Sequence, residues 1–135
     1  MPTLLETASK LDETLNTGWA GLTPIAIDNI PFVEVQGQAY LQTVFTPYVT
    51  ENVLVGSQRN KRKRTIGAFF IKIRIPLESG VGLAYDYANQ ISDIMENKCL
   101  LPDFFTEEVD VTRGGDTDDG WFNLICNVNF SSDET

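Results

Sequence analysis

The spacing of apolar residues along the chain switches between the period of a helix and that of a strand. Leu4, Ala8, Leu11 and Leu15 recur at three- and four-residue intervals, the pattern of one helix face, with Glu6, Lys10 and Glu13 on the wet side. Thr3 and Glu6 fit a capping box, in which each side chain satisfies a backbone N–H at the helix start. Asn16-Thr17-Gly18 is expected to end this helix, because glycine takes the left-handed C′ position at little cost. Residues 19–24 read as a connection and residues 25–27 as a short strand. Asn29-Ile30-Pro31 breaks that strand, since proline donates no ladder hydrogen bond. Residues 38–48 predict a longer strand, with Tyr40, Val44 and Tyr48 among its large side chains. Pro47 marks its end or an edge.

Residues 51–64 are the least regular stretch, and a long hairpin loop is expected near 50–64, a length usually tied to function or to disorder. Strict alternation returns over residues 65–75, where Phe69, Ile71, Ile73 and Ile75 alternate with Phe70, Lys72 and Arg74. Pro76 stops this strand. A second helix is expected over residues 83–97, with Leu83, Tyr87, Ile91 and Ile94 on one side and Ala84, Ala88 and Met95 flanking. Residues 105–112 predict a strand with acidic exposed positions, and residues 113–120 a turn rich in glycine and aspartate. Residues 121–130 close the pattern. The even positions from Phe122 to Phe130 are apolar there, and the odd ones include Asn123, Asn127 and Asn129. Residues 131–135 are expected to be a frayed acidic tail. This order predicts an α+β fold: a mixed, mostly antiparallel sheet with two main helices packed on one face, in one domain over residues 1–135.

A hydrophobic fraction of 42% suffices for one core without disulfides. Cys99 and Cys126 are isolated and read as free thiols of a reducing cytoplasm. The net charge of −9 hides an asymmetry. Arg59, Lys61, Arg62, Lys63 and Arg64 lie within six residues, and without them 19 acids and five bases leave −14. The body repels nucleic acid while the basic run attracts anions locally. No apolar stretch approaches the length of a membrane span, so no membrane partner is expected.

Candidate chemistry is thin. The chain has no histidine, which excludes His-based triads, His metal ligands and His general bases. Asp116-Thr117-Asp118-Asp119-Gly120 resembles the start of a calcium loop, but its twelfth position is Asn127 where a bidentate glutamate is needed. Gly80-Val81-Gly82 lacks the remaining residues of a phosphate-binding loop. Asp86, Asp93 and Glu96 share one helix edge and read as a solvated face, and Ser79 has no nearby base to activate it. Trp19, Trp121, Phe104 and Phe105 divide between core filling and interface anchoring. No enzyme and no cofactor is expected.

Several short motifs then fall in a recognisable order. They are Ile27-Asp28-Asn29-Ile30-Pro31-Phe32, Ala39-Tyr40-Leu41, Gly56, Arg64-Thr65-Ile66-Gly67, Pro76-Leu77-Glu78-Ser79-Gly80-Val81-Gly82 and Asp119-Gly120-Trp121-Phe122. In this order and spacing, over residues 3–130, the chain resembles the tail terminator (tail completion) proteins of long-tailed bacteriophages. The resemblance implies a structural virion protein forming a homohexameric ring at the head-proximal end of the tail. Such a ring ends polymerisation of the tail tube and offers a surface to the neck. The implied partners are further copies of the chain, the tail tube protein, a neck or head-completion protein and, in contractile tails, the sheath protein. The implied location is the virion tail, with the host cytoplasm during assembly.

In such a ring, the bases at Arg59, Lys61, Arg62, Lys63 and Arg64 are expected on a long hairpin reaching a neighbouring subunit. Glu107, Glu108 and Asp110 are the complementary acidic patch, since head-to-tail rings need two different matching surfaces on one subunit. A second reading turns the basic run toward DNA in the ring channel, where phosphate contact needs only Lys and Arg. A solvated loop is the third. The rival functional classes are another head–tail joining protein, a nucleic-acid-binding module led by the basic run, and a carboxylate metal enzyme.

Overall fold

The computed structural model describes residues 4–27, 38–54, 61–76, 81–101, 104–116 and 121–134. Helices α1 (Leu4–Trp19) and α2 (Val81–Met95) accompany six strands: β1 (Ile25–Ala26), β2 (Tyr40–Leu54), β3 (Lys61–Pro76), β4 (Cys99–Leu101), β5 (Phe104–Asp116) and β6 (Trp121–Glu134). The strands form one sheet in the order β1-β2-β3-β6-β5-β4. Only β1–β2 is parallel; every other pairing is antiparallel. The fold is α+β with a mixed, mostly antiparallel sheet that curls, and both helices lie on one face.

Alternation decides which face. Phe69, Ile71, Ile73 and Ile75 of β3 stand beside Leu124, Cys126, Val128 and Phe122 of β6, and all are buried under the helices. Leu11, Leu15 and Trp19 of α1 and Ala84, Ala88, Ile91 and Met95 of α2 close this core. The centre of the α2 face is thus the Ala84-Ala88-Ile91-Met95 line, not the expected Leu83-Tyr87-Ile91-Ile94 stripe. Small side chains at Ala84 and Ala88 let the helix sit close to the bulky β3 and β6 residues. Leu83 is left exposed, while Tyr87 and Ile94 turn toward α1.

The end of α1 also differs from expectation. Gly18 lies inside the helix, and the left-handed residues are Ala20 (φ 52°) and Gly21 (φ 74°). Packing explains the shift. A Cβ on Gly18 would sit 2.6 Å from Ile94 Cγ2 of α2, so glycine is there for close approach. Continuing the helix through Trp19 buries its ring edge-on to Tyr87, with centroids 5.2 Å apart, and lets its Nε1–H donate to Thr23 Oγ1 at 3.0 Å. The proposed capping residue Thr3 lies outside the described residues.

Strand lengths need correction in two places. In the stretch expected as a long loop near 50–64, the described residues are strand: β2 runs to Leu54 and β3 starts at Lys61, paired from Leu54↔Lys61 to Thr50↔Thr65. Pro47 does not end β2. The register shifts between Pro47 and Val49, and β1 covers only Leu41 and Gln42, so the proline falls at a bulge on an uncovered edge. The expected frayed tail is also paired, because β6 continues to Glu134 opposite Lys63. Both departures have one cause: three antiparallel strands satisfy one another's backbone groups beyond the last core residue.

Candidate interaction surfaces

The described side chains lead to surfaces rather than to a catalytic centre. The paired ends of β2, β3 and β6 form an arm. Its β3 portion carries Lys61, Arg62, Lys63 and Arg64; Arg59 lies outside the described residues. The register of the arm adds what sequence reading missed. Arg64 is paired with Glu51 on one side and Asp133 on the other, and Lys63 with Glu134. Three acids thus stand in register with the bases, and the arm is far less positive than the bare sequence run. The signal lay in the acidic 131–135 segment, which was expected to fray.

Glu107, Glu108 and Asp110 are exposed on β5, two strands away from β3. Glu107 and Glu108 fall in the register shift between Thr106 and Val109, where neither has a β6 partner. Contacts with the end of α2 fix this bulge. The Asn97 N–H donates to the Glu107 carbonyl at 3.1 Å, and the Val109 N–H to Glu96 Oε1 at 3.3 Å. The buried Thr106 hydroxyl donates to the Met95 carbonyl and accepts the Lys98 N–H at 2.8 Å. The acidic patch is therefore held on a rigid support. Within one chain the patch lies on β5, separated from β3 by β6, and on α1 Lys10 pairs with Glu13 at 3.7 Å.

The face of the sheet opposite the helices is open, and the curl makes it a trough of about 840 Å³. Two rows cross it: Val44–Phe70–Asn127–Asp110 and Gln42–Lys72–Ile125–Thr112. Its floor is apolar at Val44, Phe70 and Ile125. The Asn127 Oδ1 is buried there with no hydrogen-bond partner among the described residues. Beyond the Gln42–Lys72 row, Tyr40 is paired with Arg74 and its ring meets Trp121 edge-on. Arg74 is 9% exposed, with its guanidinium carbon 5.7 Å from the Tyr40 ring centroid and 5.4 Å from that of Trp121.

The remaining candidates have local roles. Asp86 Oδ2 accepts from Gln90 Nε2 at 3.0 Å, Asp93 is exposed, and Glu96 secures β5 as described. No cluster of three metal-ligating side chains occurs among the described residues. Most of the calcium-like segment and Ser79 fall outside them. Trp19, Phe104 and Trp121 are buried, whereas Phe105 is 44% exposed. No helix among the described residues is long and apolar enough to cross a membrane.

No protein-family model matches this chain, and no curated protein matches it. Solved structures do. One of them superposes over 92% of this chain and 94% of its own with a TM-score of 0.57 and 14% identity. At that identity the likeness establishes a shared fold.

Proposed function

We propose that this chain is a ring-forming terminator of a long-tailed phage tail, acting as a homohexamer on the head-proximal end of the tail tube. The mechanism is geometric. A closed ring occupies the growing end of the tube and replaces its addition surface with one that receives the neck. No bond is made or broken. The reading rests on the ordered motifs of the sequence. The structural observation that carries it furthest is the separation of two unlike surfaces on one subunit: the base-bearing arm and the rigid acidic bulge of β5. Surfaces that match each other but not themselves favour head-to-tail contacts, which close into a ring when the rotation between neighbours divides a full turn. The acids in register with Arg64 and Lys63 weigh against a track for DNA phosphates, because they cancel much of the charge that such a track uses.

Size-exclusion chromatography with light scattering, alone and with tail tubes, tests the reading. The expected result is a hexamer, and overlong tails in an assembly reaction lacking this chain. Persistent monomer under both conditions, together with tails of unchanged length, overturns it.

A further inference from the structure

We infer that the open trough of the sheet is the seat for the β2–β3 arm of the next copy. The inference rests on the ring reading above and assigns its contact surface. Three properties of the trough specify this occupant. First, its floor is apolar and wet: Val44 is 39% exposed, beside the half-buried Phe70 and Ile125. Such a floor gains from being covered. Second, Asn127 Oδ1 is a buried acceptor with no donor among the described residues, an arrangement that costs stability until one arrives. Lysine and arginine side chains carry donors and no acceptors, so the arm supplies the missing partner. Third, the charges match. Asp110 lines the trough and the exposed Glu108 precedes it on the same strand, both opposite in sign to the base run of residues 61–64.

The dimensions agree. The trough follows β2 from Gln42 to Thr46, about 15 Å at roughly 3.3 Å per residue, and the β3 side of the arm from Lys61 to Ile66 reaches about 20 Å. An arm leaving one sheet and a trough on the opposite side from the helices are different surfaces, so the contact repeats head to tail.

Directed disulfide formation tests this in the full chain. Subunits carrying Val44→Cys are mixed with subunits carrying Val53→Cys, both in a Cys99→Ser background, and oxidised mildly after assembly. The expected result is a disulfide between unlike subunits. Val44→Lys, which sets a like charge against the arm, is expected to weaken self-association by about tenfold or more. Its far-UV circular dichroism and melting temperature stay those of the parent. A ring that forms with no such cross-link, and forms equally well with Val44→Lys, overturns the trough assignment while leaving the ring intact. A chain that never associates overturns both.

Discussion

Cys126 sits on the helix-covered face of β6 with no exposed surface, and burial pushes its thiol from 9.0 up to about 12. Below about pH 9 the thiol is protonated whether the chain is folded or not, and nothing is lost. Above that pH the unfolded chain ionises while the folded one does not, so stability falls as pH rises toward 12. Urea denaturation between pH 8 and 11 is expected to show a steeper decline for the parent than for Cys126→Ala. An aromatic disulfide reagent at pH 8 should modify the exposed Cys99 in the native protein and reach Cys126 only in denaturant. Arg74 is a second residue whose environment dictates its worth. Its guanidinium rests against both Tyr40 and Trp121, whose rings meet edge-on at 5.4 Å, so Arg74→Ala is expected to cost about 2 kcal/mol and Arg74→Met about half that, since methionine keeps the packing. Denaturant midpoints of the two variants check the ranking. The burial of Cys126 was legible in the sequence, as one of the even apolar positions of residues 121–130, whereas Arg74 read only as a polar position in an alternating strand.

The contact between helices turns on one pair. Gly18→Ala gains about 1 kcal/mol of helix propensity but drives a methyl into Ile94, and overpacking of this kind costs about 1–3 kcal/mol. The single substitution is expected to destabilise modestly. Gly18→Ala combined with Ile94→Ala should be more stable than Ile94→Ala alone, because the propensity gain then meets no clash. A double-mutant cycle by thermal unfolding measures the difference. Period located both helices and every strand but the short β4, from the 65–75 alternation to the even-numbered face of β6. It could not place their ends. A glycine near a helix terminus signals either a left-handed turn or a close neighbour, and only the position of Ile94 distinguishes them. Likewise the bases after Arg59 suggested a loop, because a charged stretch with no apolar alternation carries no record of the strands that pair with it.

For the molecule as a whole, the proposed ring depends on opposite charges meeting between copies. Arg62→Glu with Lys63→Glu is expected to lower self-association by about tenfold or more, and sodium chloride at 1 M to weaken the parent in the same direction as screening shortens to about 3 Å. Light scattering across a salt series reads both effects. The basic and acidic members of the candidate site were legible as sequence runs. The trough was not, because its residues come from four strands and meet only through register. The strand order carries one further consequence. β6 follows every other strand along the chain, yet it lies between β3 and β5 and joins the two halves of the sheet. Until it is synthesised and threaded into place, β3 and β5 each present a raw hydrogen-bonding border, and the aromatic interior has no middle wall. Folding therefore waits on distant pairings, which makes it slow and leaves nascent chains prone to sticking together. Deleting β6 is expected to yield insoluble material rather than a smaller stable domain, as solubility after overexpression would report.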